Sequence, residues 1–383
     1  MMKLSDNILC WCGNPEEGAV QQAVNISKHP WLVGNVCLMP DTHEGYGMPI
    51  GGVAALNEAI CPNMVGVDIG CGMLAVKTNL KDISKDKVKQ VIEKIRDRIP
   101  VGFNHHKEPQ INDIFNNDLW NKTTVCKEQF QSAQYQLGTL GCGNHFIEIQ
   151  KDEDDCIWFM IHSGSRNLGK RVADYYNKKA VELCTNWKQF DIVKQELAVL
   201  PIDTQEAKCY ISEMNLCLEF AYANRMLMAD SIIKSFIEIF PLFETKELIN
   251  IHHNYATIEH HYNKNVWVHR KGATLARKGT IGIIPGSQGT CSYIVEGLGN
   301  ESSLCSCSHG AGRKISRMKA KQTLTVEEEA KRLNDLGIVH SIRNIKDLDE
   351  APSAYKDIDV VMEEQKDLVK ILVKLSPIGV VKG

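Results

Sequence analysis

Residues 306–314 read SCSHGAGRK, which sets His309 among small side chains just ahead of a run of cations, Arg313, Lys314, Arg317, Lys319 and Lys321. A histidine packed as core would be flanked by apolar residues. Neutral imidazole can act as a general base or attack an activated phosphorus, and attack needs open space at the ring plus cations to offset phosphate charge. The glycines and basic residues supply both conditions. The pattern also suits a helix-start histidine bonded to a carbonyl, so this segment alone leaves two readings.

A second group of residues carries metal-ligand chemistry: Asp68 and Cys71 in GVDIGCG, His145 in GCGNHFIE, His162 in IHSGSR, and His252 or His253 in NIHHNYA. An oxygen donor, a thiolate and several imidazoles suit zinc or a divalent ion such as manganese, iron or cobalt, and softness does not choose among them. Asp68 and Cys71 stand three apart in a glycine turn, so both can face one point, and a thiolate can bridge two ions. Each histidine taken singly reads as a structural residue. Their recurrence in glycine settings at the ends of expected strands points to a metal site. GTLGCGNH, SGSRNLGK and PGSQGT each add clustered backbone N–H groups with small side chains, the usual cradle for phosphate. None is a Walker loop, and no GxGxxG runs from a strand into a helix.

The elements that must position these groups follow from periodicity. Residues 35–80 read as short apolar strands (VCLM, MVGV, MLAVKT) between glycine-dense turns. Apolar spacing predicts helices over Lys85 to Ile99 and Val125 to Leu137, followed by strands HFIEIQ and CIWFMIH, the latter ending on His162. Residues 167–240 are mostly helical scaffold, with a long periodic stretch from Thr204 to Phe240 that breaks at Pro241. Strands return in VWVHR, GTIGIIPG and CSYIVEG. Thr325 with Glu328 makes a capping box that opens a helix to Leu336, and a last helix is expected over about Tyr355 to Leu372.

Composition bounds these readings. The chain has 383 residues and is 43% apolar, enough for a sizeable core. Its 14 cysteines are scattered without CxxC pairs, as reduced, mostly buried thiols would be. Formal charge is 44 − 47 = −3, so any nucleic-acid surface must be local, at Arg166-Lys170-Arg171 or Arg313 to Lys321. The N-terminus lacks an apolar signal region and no run approaches the ~18 apolar residues of a membrane span, so the expectation is a soluble, cytoplasmic protein. With no internal repeat or composition break, residues 1–383 are expected to form one large α+β domain, mixed central sheets surrounded by helices.

The motifs DIGCG, GTLGCGNHFIE, HSGSRNLG, HRKGAT, IIPGSQGTCSYIVEG, SHGAGRKISR, EAPSAYKDID and terminal PIGVVKG closely resemble the RtcB-type RNA ligases, in the same order, from about Met39 to Gly383. The resemblance implies a distinctive α/β fold and a GTP- and manganese-dependent ligase. Its substrates would be RNA ends bearing a 3′-phosphate or 2′,3′-cyclic phosphate and a 5′-hydroxyl, as in RNA repair or tRNA splicing. His309 would be the histidine that is guanylylated. Asp68, Cys71 and His145 would hold one Mn²⁺, with Cys71 shared by a second ion completed by His162 and His253. His253 is preferred to His252 because the family pattern reads His-Asn. The guanylate pocket would draw on Asn144, Glu148, Asn254, the Ser287 loop, Gly310, Ala311, Gly312, Tyr355 and Lys382, with the Glu148 carboxylate selecting guanine. Arg166 resembles an RNA-phosphate contact that Arg313 and Arg317 assist, and Asp41, in MPDTHEGYG, matches a family acid near the metals.

Three positions depart from the family pattern. Asn167 replaces glycine, with positive φ as the expected reason that asparagine is tolerated; Gln288 replaces methionine; and Glu44 adds a charge after His43. They suggest a divergent paralogue whose RNA differs from tRNA halves. Two other functions fit the same residues: a metal-dependent phosphodiesterase that only opens cyclic phosphates, and a non-catalytic protein that binds RNA ends.

Overall fold

In the computed structural model, which describes every residue from Met1 to Gly383, two sheets carry the chemistry. One has six strands in the order Met2–Ser5, Ile8–Cys10, Leu32–His43, Ile50–Leu56, Lys264–Lys271, Asn254–His261. The other has seven, ordered Thr245–His252, Gly72–Lys81, Cys156–Ser163, Phe146–Lys151, Val369–Lys382, Ser292–Gly297, Ile281–Ile284. The expected mixed α+β class is what the chain adopts.

Both sheets are covered on both faces, and strand alternation shows how. In the seven-stranded sheet Leu74 and Val76 face one core with Val88, Ile92 and Ile95 of the helix Lys85–Arg98. Met73 and Ala75, on the opposite face, pack with Trp158, Met160, Ile283 and Leu375. In the six-stranded sheet Val36 and Leu38 enter the largest core, and Cys37 and Met39 enter another with Ile358 and Met362. The helices largely follow their apolar spacing. Lys85–Arg98 is capped by Ser84, whose hydroxyl accepts from the Lys87 N–H, and Val125–Gln136 ends one residue short of its expected limit. The 167–240 scaffold resolves into Arg166–Asn186, a short Phe190–Lys194 and the 33-residue helix Gln205–Ile237, whose Thr204 cap accepts from Ala207 N. No helix is long and apolar enough to cross a membrane.

Four expectations are corrected. The last helix covers only Ile358–Glu364, and Val369–Lys382 is a central strand that pairs through residues 369–375 with Ser292–Gly297 and through 376–382 with Phe146–Lys151. The apolar residues Leu368, Val369, Ile371 and Leu372 satisfy a helical template over one turn, but sheet pairing on both sides outweighs that preference. Pro377, which would stop a helix, sits at a register shift where a missing N–H is tolerated. MVGV is no strand: Pro62 opens a one-turn helix, Pro62–Val65. The cap at Thr325 forms, but the Glu328 carboxylate accepts from the Thr325 hydroxyl rather than from its backbone N–H. Asn167 does not hold the left-handed conformation; its neighbour Arg166 does, at φ 60°.

Candidate active site and metal centre

The metal-ligand candidates converge from four strand ends. Asp68 and Cys71 occupy the turn leading into Gly72–Lys81, closed by Cys71 N donating to Asp68 O at 3.1 Å. His253 lies in the hairpin between Thr245–His252 and Asn254–His261, and its N–H donates to Cys71 O at 2.9 Å. His145 immediately precedes Phe146–Lys151, and His162 is in the neighbouring strand, where it pairs with Phe146.

Two donor sets result, Asp68 with Cys71 and His145, and Cys71 with His162 and His253; within each, the donor atoms all lie within 4.8 Å of one another. Cys71 Sγ is 3.5 Å from His145 Nε2 and 3.2 Å from His162 Nε2; His145 Nε2 is 3.0 Å from Asp68 Oδ2, and His162 Nε2 is 3.3 Å from His253 Nε2. The other ring nitrogens of His145 and His162 face carbonyls, Leu140 O at 2.9 Å and Asn144 O at 3.1 Å. A donated N–H there leaves each Nε2 lone pair free. His252 belongs to neither set: its Nδ1 faces Arg225 and Gly70 O.

The chemistry of these donors fits divalent cations. Burial holds His162 and His253 well below the usual imidazole range, so both are neutral ligands. Burial opposes ionisation of Asp68, but the adjacent His145 outweighs it and brings the carboxyl down to about 2. Cys71 is pushed up by burial and by Asp68, a balance that a bound cation reverses by taking the thiolate.

His309 faces this centre. It follows the short strand Ser306–Ser308, which pairs with Ala273–Leu275 beyond the His253 hairpin, and its ring lies 4.8 Å from that of His253, edge to face. Asp41, fully buried in Leu32–His43, accepts from both His309 N (3.1 Å) and Nδ1 (2.6 Å) through Oδ2. A proton held on Nδ1 leaves Nε2 as the free nucleophilic nitrogen. Two glycines make the approach possible. A Cβ on Gly312 (φ 71°) would fall 2.3 Å from Asp41 O, and one on Gly272 (φ 62°) would meet His309 Cε1 at 3.0 Å.

These groups open into one cleft of about 1080 Å³, lined among others by Asp68, Cys71, His162, His253, His309 and Arg317. Asn144, Asn254, Gly310, Ala311, Gly312, Arg313 and Tyr355 also line it. The Asn254 amide bridges Asp68 O and Gly272 N. Asp41, His145 and four further expected site residues do not line the cleft. Glu148 is buried beside Gln150, with its carboxyl raised to about 8 by desolvation despite Lys382. Ser287 is buried and bonded to Thr290. Lys382 stands over the Phe146 ring on the closing strand. Arg166 does not face the cleft; it packs against His145 and Thr139.

Sequence reasoning passed over several supports. The buried Arg225 guanidinium donates to Gly70 O, Ser163 O and Asn250 Oδ1, tying together three of the four segments that carry the ligands. Asn224 beside it ties Thr139, Ser163 and Gly164. A signal existed: both polar residues fall where the apolar stripe Cys217, Phe220, Ala221, Met228, Ala229, Ile232 should continue. Glu350, buried at the head of EAPSAYKDID, accepts from Arg313, Arg317 and the Tyr355 hydroxyl and lies 3.9 Å from Lys382. Gln288 donates to the Glu350 carbonyl, which gives the departure from methionine a polar partner.

A family profile described as "tRNA-splicing ligase RtcB" matches residues 22–383. The chain belongs to the RtcB family. It is 37% identical to "RNA-splicing ligase RtcB" of Escherichia coli K12, over 96% of this chain and 95% of that protein. Similarity extends to "tRNA-splicing ligase RtcB" of Nanoarchaeum equitans (33%, covering 96% and 92%) and to "RNA-splicing ligase RtcB homolog 1" of Entamoeba dispar (32%, covering 97% and 83%).

Proposed function

We propose that this RtcB-family protein is an RNA ligase that joins a 3′-phosphate or 2′,3′-cyclic phosphate end to a 5′-hydroxyl end through a guanylate carried on His309, with GTP and two Mn²⁺ ions. The observation that carries this reading is the His309 ring, fixed by Asp41 at 2.6 Å and lying 4.8 Å from His253, in the same cleft as Asp68, Cys71, His162 and His253. His309 Nε2 attacks the α-phosphorus of GTP; the N–P bond forms, the α–β P–O bond breaks and pyrophosphate leaves. Asp41 holds the Nδ1 proton and stabilises the positive charge that develops on the ring. An oxygen of the RNA 3′-phosphate then takes the guanylate and frees His309. The 5′-hydroxyl next attacks the activated 3′-phosphorus and displaces GMP. A cyclic phosphate is hydrolysed first. Asp68, Cys71 and His145 would hold one ion and Cys71, His162 and His253 the other, and such a pair supplies charge stabilisation to entering and leaving oxygens. Glu148 in its ionised form accepts from guanine N1–H and N2–H₂, and Arg313 and Arg317 neutralise phosphate.

The test is incubation with α-labelled GTP and Mn²⁺, followed by intact-protein mass spectrometry. The native chain is expected to gain one GMP and His309→Ala none. Equal labelling of His309→Ala would refute the role given to that ring, and cyclic-phosphate opening without GTP or adduct would make the protein a phosphodiesterase.

A further inference from the structure

The loop His43 to Gly47 is tied down at nearly every residue. Glu44 N donates to Glu16 Oε2 (3.2 Å), Gly45 N to Gln22 Oε1 (3.1 Å) and Gly47 N to Glu196 Oε2 (3.0 Å), while Lys271 Nζ donates to Tyr46 O (2.5 Å). The backbone is therefore fixed, yet the Tyr46 side chain it presents is 73% exposed, has no aromatic neighbour, and lines the same cleft as His309. An aromatic ring left in water on a fixed backbone contributes little to folding, and with only two side-chain torsions to order it can stack on a nucleobase at low entropic cost.

Charge says which part of an RNA belongs there. The cleft residues knit to this loop are Glu16, Glu44 and Glu196, and Lys271 already serves two carbonyls, Tyr46 O and Asn63 O. The free cations lie elsewhere, at Lys314 in the loop after His309 and at Lys319 in the helix Arg317–Thr323, beside Arg313 and Arg317. A terminal phosphate is attracted to that basic wall and repelled by the three carboxylates. The one nucleotide of an RNA chain that brings no phosphate on its 5′ side is the first residue of a 5′-hydroxyl strand.

We propose that Tyr46 is the stacking platform for the terminal nucleobase of the 5′-hydroxyl strand, and that the carboxylates around it reject a 5′-phosphate. This subsite rests on the ligase reading above and names where its second substrate sits. Two measurements on the full chain keep the two claims apart. The first is anisotropy of a labelled 5′-hydroxyl oligonucleotide without GTP. Tyr46→Ala is expected to weaken binding about tenfold and Tyr46→Phe to leave it near the native value, since the stacking face is kept. The second is ligation at varied 5′-hydroxyl strand: Tyr46→Ala raises its KM by a similar factor while kcat and guanylate labelling of His309 hold. Glu44→Gln is expected to let a 5′-phosphorylated oligonucleotide compete several-fold better. Unchanged affinity in Tyr46→Ala would overturn the platform, whatever the labelling, and unchanged competition in Glu44→Gln would overturn the charge filter. A native chain that never takes up GMP but still binds through Tyr46 would defeat the ligase reading alone.

Discussion

Replacing Asp41 by asparagine isolates charge and proton placement at the nucleophile without changing side-chain volume. Oδ2 accepts two hydrogen bonds from His309, while Oδ1 is buried with no partner, and a Cβ on Gly51 would lie 2.8 Å from it. An asparagine with its carbonyl in the Oδ2 position keeps both bonds but strands an NH₂ in the Oδ1 position, an orphaned donor that costs about 1–3 kcal/mol of stability. It also removes the anion that stabilises the cationic ring as the N–P bond forms. A hydrogen bond to a charged group contributes about 1.5–3 kcal/mol, so that loss alone slows guanylylation roughly 10- to 150-fold. The flipped asparagine is worse. Its NH₂ forces the proton onto Nε2, and the wrong tautomer at a comparable histidine–carboxylate pair slows catalysis about 10⁴-fold. The expected outcome in single-turnover quench with labelled GTP is a fall of about 10²- to 10⁴-fold in the rate of adduct formation. Affinity for GTP should change little, since Asp41 does not line the cleft. A rate within about threefold of the native protein would refute the idea that Asp41 sets the nucleophilic nitrogen.

Other perturbations test the supports. Arg225→Lys keeps a cation but cannot span Gly70 O, Ser163 O and Asn250 Oδ1 together, so Mn²⁺ affinity measured by calorimetry should fall about 10- to 100-fold. Gly312→Ala places a methyl against Asp41 O at a left-handed φ; it should lower the thermal midpoint and abolish guanylylation together. For Glu148, whose carboxyl stands at about 8 against an ordinary 4.5, the folded chain holds a proton that the unfolded chain releases. Its contribution to stability therefore falls as pH rises from about 4.5 to 8, and Glu148→Gln should flatten that part of the thermal midpoint profile. Guanine binding needs the ionised form, so GTP affinity of the native chain should rise between pH 6 and 8, and that of Glu148→Gln should not.

Much of this arrangement was legible in residue types. Motif residues such as His309 and the Cys71 turn announce themselves by glycine context, and the helix Lys85–Arg98 by a clean apolar stripe. What was hidden depends on contacts distant in sequence. The closing strand from Val369 takes its conformation from partners on both sides, one near residue 150 and one near 295, and neither is visible to a window of local periodicity. The placement of Arg166 behind His145 is similar: the family resemblance reads it as a phosphate contact, and only the fold shows that it packs against the His145 ring. His252 and His253 have equal chemistry; the family pattern already favoured His253, and the hairpin geometry gives the physical reason, turning His252 to Arg225 and His253 into the donor set.

Two buried charges and one half-buried one explain how segments so far apart hold a shared geometry. Arg225 clamps the carbonyls of the metal-bearing turns, and Glu350 gathers Arg313, Arg317 and Tyr355. Lys356 donates to Pro40 O and Thr42 O, one on each side of Asp41. Placing an ionised group inside a protein is unfavourable unless its hydrogen-bonding capacity is met, and each of these groups meets it with backbone or side chains from several elements. A hydrophobic residue of equal volume would pack as well but would leave the carbonyls free to turn. The distances that matter here are between ring nitrogens, a thiolate and one carboxylate, and a shift of about 1 Å at a reacting centre costs about 10²-fold in rate. Lys356→Met is the sharpest case: it removes the clamp on Asp41 while leaving His309 and both metal sets untouched. A slowed guanylylation with unchanged Mn²⁺ affinity is the expected result, and equal loss of both would mean that Lys356 supports the fold generally rather than the nucleophile.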